Sequence, residues 1–179
     1  MNNAQVPHPL STFEPLGDAT ALVDRILASI EHIRLFEDFG REEVEMLARY
    51  LRCYRASAGI EIIREGESGD FMLLLIEGSM EILKLDPRGL PQRLAVAGPG
   101  KTLGEMSLID GEPRFASCVA LEPVLFAVLD RDALTRLVAD ESKIGVKILM
   151  ELLMLLNQRL RTVSGELMKC LENKRLRIR

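Results

Sequence analysis

Apolar residues recur along this chain first at helical spacing, then at strand spacing, then at helical spacing again. In "ATALVDRILASIEHIRLF", Val23, Ile26, Leu27 and Ile30 are three and four residues apart, which predicts an amphipathic helix. "REEVEMLARYL" repeats the pattern with Val44, Leu47 and Leu51, and Glu42 and Glu43 fall in its first turn, where they complement the helix dipole. From Arg52 to Asp130 the period shortens. "CYRASAG", "IEIIREGESGD", "FMLLLIEGSMEILKL", "RLAVAGPGK" and "SCVALEPVLFAVLD" are short apolar or alternating runs punctuated by glycine. Strands at this spacing predict an all-β sandwich or barrel. Gly59, Gly66, Gly69, Gly78, Gly89, Gly98 and Gly100 are read as its corners, and "DPRG" as a hairpin turn. "FMLLLIE" is apolar at successive positions, so it is expected as a central strand covered on both faces.

Beyond Asp130 the helical period returns. Asp130 is placed to cap "RDALTRLV", and Ser142 to cap a long helix running to about Asn173. In that helix Leu149, Leu153, Leu156, Leu160, Val163, Leu167 and Cys170 follow a four-three alternation, the seam of a coiled coil. Ile148, Leu152 and Leu155 form a second stripe. One stripe can pack on the β body; the other calls for a partner, and a parallel homodimer through this helix is the expectation. The alternative is one wide stripe buried within the chain. Residues 1–18, with Pro7, Pro9 and Pro15, read as a loose arm. The organisation is then arm 1–18, β body with its N-terminal helices 19–140, and long helix with a basic tail 141–179.

The chemistry concentrates in "GEMSLIDGEPRFAS", Gly104 to Ser117. Gly104 allows a sharp turn into a short helix whose leading amides favour an anion. Glu105 stands at that positive end and can accept from a hydroxyl. Gly111 and Pro113 reverse the chain, and Arg114 returns with a planar fork suited to phosphate. Ala116 is small enough for backbone to approach a ligand. These parts describe a pocket for a phosphate and a ribose; a Glu105–Arg114 salt bridge closing a surface loop is the competing account.

Charge and composition narrow the classes. Net charge is −4, and the tail residues Lys174, Arg175, Arg177 and Arg179 supply four positive charges, so the rest of the chain carries −8. A body so acidic argues against DNA binding, which needs a basic face. The tail is read as a solvated helix end rather than a nucleic-acid or membrane contact. Cys53, Cys118 and Cys170 have no metal spacing; the odd count implies reduced thiols in a cytoplasmic protein, with Cys53 and Cys118 as buried small hydrophobes. No apolar run reaches the ~18 residues of a membrane span. His8 and His32, the two histidines, both precede the β region, so a barrel metal site lacks its usual ligands and no Ser-His or Cys-His pair is available there. No enzyme, no catalytic residue, no metal and no cofactor is expected.

"LGEMSLIDGEPRFAS" resembles the phosphate-binding cassette of cyclic nucleotide-binding domains, the family of the bacterial catabolite activator protein and the regulatory subunits of cAMP-dependent kinase. Upstream, "AGIEIIREGESGDFMLLLIEGSMEI" resembles the glycine-punctuated β-roll of that family, and the flanking helices fit over about residues 30–170. The resemblance implies a mainly β fold with flanking helices, a double-stranded β-helix (jelly-roll-like β-roll) with N-terminal helices and a long C-terminal helix. It implies that Glu105 takes the ribose 2′-hydroxyl and Arg114 the cyclic phosphate. Gly104, Met106, Ser107 and Phe115 would join through their backbone, Ala116 would keep the wall thin, Leu103 and Ala95 would line the apolar cleft, and Thr162 and Ser164 would lie near the base. Phe115 departs from the alanine or threonine usual at its position; the missing hydroxyl favours cAMP over cGMP. Because the sequence stops at Arg179, a regulatory domain without the helix-turn-helix of catabolite-activator relatives is expected, acting on an unknown downstream protein. The alternative is a dimeric interaction module of this fold that has lost ligand binding or binds another nucleotide such as cyclic di-GMP.

Overall fold

The computed structural model describes residues 9–30 and 39–177. Residues 1–8 of the expected arm, 31–36 of the first expected helix with the two residues after it, and 178–179 lie outside them, as do the side chains of Lys174, Arg175 and Arg177. Among the described residues nine strands form two antiparallel sheets. The strands are β1 (Glu14–Asp18), β2 (Arg52–Ala56), β3 (Glu61–Ile63), β4 (Phe71–Glu77), β5 (Met80–Leu85), β6 (Pro91–Ala97), β7 (Thr102–Leu103), β8 (Ser117–Ala120) and β9 (Val124–Asp130). One sheet has the order β1-β2-β9-β4-β7 and the other β3-β8-β5-β6. Around them lie α1 (Val23–Ile30), α2 (Arg41–Ala48), α3 (Glu105–Asp110), α4 (Arg131–Asp140) and α5 (Ser142–Arg177). This is the mainly β fold with flanking helices that the sequence predicts, and its long C-terminal helix is present. Among the described residues no helix is long and apolar enough to cross a membrane.

The double-sided apolarity of β4 follows from its place between two cores. Phe71, Leu73 and Leu75 point into the roll with Tyr54, Met80, Phe126 and Val128. Met72, Leu74 and Ile76 point the other way and meet Ile26, Val44 and Leu47 of α1 and α2 and Leu137, Ile148 and Leu152 of α4 and α5. Strand β9 divides its residues in the same manner, Val124, Phe126 and Val128 inward, Leu125, Ala127 and Leu129 toward the helices. Alternation with period two therefore serves two cores, and in these strands only the end residues Glu77 and Asp130 are polar. Asp130 Oδ1 accepts from Ala133 N at 2.7 Å and caps α4 as expected.

The described part of the expected loose arm is ordered instead. Leu10 and Phe13 are buried, and Phe13 sits edge-on to Phe126 with ring centroids 5.7 Å apart. Glu14–Asp18 pairs with β2 as an edge strand, with an irregularity between Pro15 and Gly17. An edge strand tolerates both residues because one side of its backbone needs no ladder partner. Helix α2 ends at Ala48, so Leu51 is a buried residue of the following turn. Of the expected corner glycines, Gly69 and Gly98 do not have positive φ.

In α5 the two stripes separate. Ile144, Ile148 and Leu152 are buried against the body and Leu155 packs partly on it. Leu149, Leu153, Leu160, Val163, Leu167 and Cys170 are exposed.

Candidate functional site

Two loops and one helix turn converge between the roll and α5. At Gly104 the chain adopts φ +82°, the left-handed region that glycine enters without steric cost, and α3 begins at once. A Cβ there would also lie 2.7 Å from Arg114 Nη1. The returning limb is fixed by its backbone: Arg114 N donates to Glu67 O and Gly66 N donates to Arg114 O, both at 2.9 Å. Helix α3 is held from below by Arg131, the first residue of α4. Its Nε donates to Leu108 O at 3.1 Å, and its Nη2 to Ser107 O at 3.0 Å and Leu108 O at 2.9 Å. Leu108 O is a carbonyl that the end of a six-residue helix leaves open, whereas Ser107 O also accepts from Gly111 N at 3.0 Å.

Arg114 is 4% exposed, and its guanidinium stacks on Phe71 with Cζ 4.2 Å from the ring centroid. Nη1 donates to Phe71 O at 2.7 Å and to Gly104 O at 2.9 Å. Nη2 is buried without a partner. Burial pushes its pKa down, yet an arginine keeps its charge. Glu105 is 1% exposed. One carboxylate oxygen pairs with Arg159 Nη1 from α5, and the other, Oε2, is buried without a partner. Arg159 Nη2 donates to Thr102 O at 2.9 Å. Burial raises the Glu105 pKa, and the facing Arg159 charge works against that rise. The ion pair of Glu105 is thus with Arg159, and Arg114 is engaged by backbone carbonyls.

Both orphaned atoms belong to side chains lining one cavity of about 80 Å³. Leu103, Gly104, Glu105, Met106, Ser107, Arg114, Phe115 and Ala116 line it, eight of the residues singled out from the sequence. Ile63, Ile82, Cys118 and Arg159 complete the wall. The Cys118 thiol is pushed up to about 12, chiefly by burial, so it stays a neutral wall atom. The ring of Phe115 is half exposed with Lys84 Nζ 4.5 Å from its centroid, and that ammonium also donates to Phe115 O at 2.7 Å.

Three expected residues are not brought to this cavity. Ala95 is exposed on β6, the edge of its sheet, and Thr162 and Ser164 are exposed on α5. Every described side chain of α5 beyond Leu160 is exposed, so the next turn meets no wall. Arg159, one turn earlier, is the charged residue of the wall that sequence reading missed. Its signal was present: a carboxylate buried at the head of a helix calls for a cation, and Arg159 precedes Thr162 by three positions on the same helix face.

The family profile described as "Cyclic nucleotide-binding domain" matches residues 55–141. The chain is similar to the crystal structure of a cyclic nucleotide-binding domain from Methylobacillus flagellatus KT, with 42% identity and a TM-score of 0.79. That match covers 87% of this chain and 88% of the other. The catabolite activator protein of Thermus thermophilus follows at 31% identity and TM-score 0.69, covering 74% of this chain and 61% of that one. A CRP-like cAMP-activated global transcriptional regulator of Mycobacterium tuberculosis is 30% identical over 145 residues, 81% of this chain. The chain spans 62% of the length of that curated relative.

Proposed function

The chain belongs to the cyclic nucleotide-binding domain family, and from that premise we propose that it is a regulatory domain gated by a cyclic mononucleotide, cAMP before cGMP. One observation carries the reading. A buried donor, Arg114 Nη2, and a buried acceptor, Glu105 Oε2, both lack partners in the wall of a single cavity. Buried polar groups without partners are costly, about 1–3 kcal/mol each. A ligand offering an anionic oxygen to one and a hydroxyl to the other removes both costs. A cyclic phosphate fused to a ribose does so, with Arg114 as phosphate ligand and Glu105 as ribose ligand. Met106, Ser107 and Phe115 contribute backbone groups, and Ala116 leaves room for the phosphate. The cAMP-activated regulator among the relatives supports the choice of base, as does the absence of a hydroxyl at Phe115. The reading is of a binding domain, not an enzyme.

Arg159 gives occupancy a route to the output. A ribose hydroxyl arriving at Glu105 shares a carboxylate already held by α5, so the position of that helix responds to ligand. Differential contacts in the two states supply the coupling. Arg131 ties the cassette to α4 in the same way. The output is the geometry of a parallel homodimer through the exposed seam from Leu149 to Cys170, read by a downstream protein.

Calorimetry with cAMP, cGMP and cyclic di-GMP tests the ligand. Saturable heat with cAMP is expected, and Arg114→Ala should weaken it by about 2–4 kcal/mol while the domain stays folded. Unchanged affinity removes Arg114 from the site; heat with none of the three favours the interaction module without ligand. The dimer is tested by mild thiol oxidation. In a parallel seam the two exposed Cys170 thiols face each other and cross-link. Cys53 and Cys118 are buried, with pKa values raised to about 11 and about 12, and should not react. A chain that stays monomeric by light scattering and uncross-linked overturns the seam.

A further inference from the structure

Gly69 stands in the turn before β4, and its backbone does not explain why it is glycine. Its φ is outside the left-handed region, so any L-residue fits the main chain there. What excludes a side chain is Arg114. A Cβ on Gly69 would lie 2.5 Å from Arg114 Cζ and nearer still to Nε and Nη2, closer than real Cβ atoms approach other heavy atoms. The guanidinium can yield only by leaving its berth. Phe71 O and Gly104 O hold Nη1, the Phe71 ring lies under Cζ, and a Cβ at Gly104 would already crowd the other edge. Gly40, Gly98 and Gly165 share the ordinary backbone of Gly69, yet a Cβ at each would meet nothing closer than 3.8 Å.

We infer that Gly69 is a positioning residue for the anion-binding side chain: the volume of its missing Cβ is where the Arg114 guanidinium lies. The segment Gly69–Phe71 then builds the berth from three sides, with the space at Gly69, the carbonyl of Phe71 and the ring of Phe71. An alanine at 69 would force the guanidinium off the Phe71 ring and carry Nη2 away from the cavity.

The binding arm of the test rests on the proposed role of Arg114; the stability arm does not. Thermal midpoints without ligand and cAMP affinities are measured for the parent, Gly69→Ala, Arg114→Ala and the double variant. Gly69→Ala should lower the midpoint and weaken cAMP by about tenfold or more, the scale of a lost bond to a charged group. In the Arg114→Ala background the same alanine should leave the midpoint unchanged or raise it, because the vacated space takes the methyl group and the unfolded chain loses freedom. Equal loss of midpoint in both backgrounds overturns the inference, as does parental affinity and midpoint in Gly69→Ala. If Gly69→Ala does not fold, recovery of folding by the added Arg114→Ala supports the inference and failure of both overturns it. If the parent binds no cAMP, the ligand reading fails and the midpoints alone decide the role of Gly69.

Discussion

The two halves of α5 are built from similar residues and meet opposite surroundings. Ile144, Ile148 and Leu152 in the first half are 2–3% exposed. Leu160, Val163 and Leu167 in the second are 57–65% exposed. A helix of 36 residues is about 54 Å long, and the β-roll with α4 covers only its beginning. Arg159 stands at the boundary, its guanidinium in the wall of the cavity and its helix continuing into solvent. Periodicity alone does not distinguish apolar residues that the chain buries itself from those it presents to a partner. The distinction comes from where the covering surface stops.

The largest effect that this contrast predicts is on stability. Leu152→Ala should cost about 2–5 kcal/mol, the loss of a buried leucine plus the cavity it leaves. Leu160→Ala in the monomer should stay within about 0.5 kcal/mol, as exposed substitutions do. Urea unfolding followed by circular dichroism, at a protein concentration low enough to keep the chain monomeric, separates the two. Equal losses would mean that the second half of α5 packs on its own chain, and the contrast would be gone.

A glycine in each half sharpens it. Gly145 faces α4, where an added Cβ would lie 2.6 Å from Val138 Cα and 2.8 Å from its Cγ2. The nearest obstacle is main chain, which cannot rotate away. Alanine ordinarily favours a helix, but Gly145→Ala should destabilise by about 1–3 kcal/mol because α5 must move off α4. A higher unfolding midpoint for this variant would show that the packed half is looser than its contacts imply.

Much of this was readable from sequence because its causes are local. The Phe71–Glu77 run, the Asp130 cap, the two stripes of α5 and the Gly104–Ser117 loop each depend on a few neighbouring residues. The unread parts depend on distant ones. "EPLGD" carries no alternation, and it is a strand because β2 offers a free edge and Leu10 and Phe13 anchor it. Arg159 joins the cavity across 54 residues of sequence to satisfy Glu105. Gly69 resembles any corner glycine until Arg114 is seen in the space beside it. Ala95, Thr162 and Ser164 were placed by resemblance, and none of the three lines the cavity of the single chain.

The smallest effect is the most direct probe of the open half. A Cβ on Gly165 would meet nothing within 4 Å, and its φ is ordinary. Gly165→Ala should therefore stabilise the helix by about 0.5–1 kcal/mol, the entropy that glycine loses when it becomes helical. Position matters as much as sign. Counting from Val163 and Leu167 in the seam, Gly165 falls at the outermost position of the heptad, away from a parallel partner. The gain should then appear as greater helicity in dilute monomer and as tighter self-association, with no new contact between chains. The cavity ends at Arg159, so cAMP affinity in the monomer should hold. Reduced helicity or weaker association would mean that Gly165 is needed at a bend or a crossing, and the second half of α5 would then be shaped by contacts rather than left open for a partner.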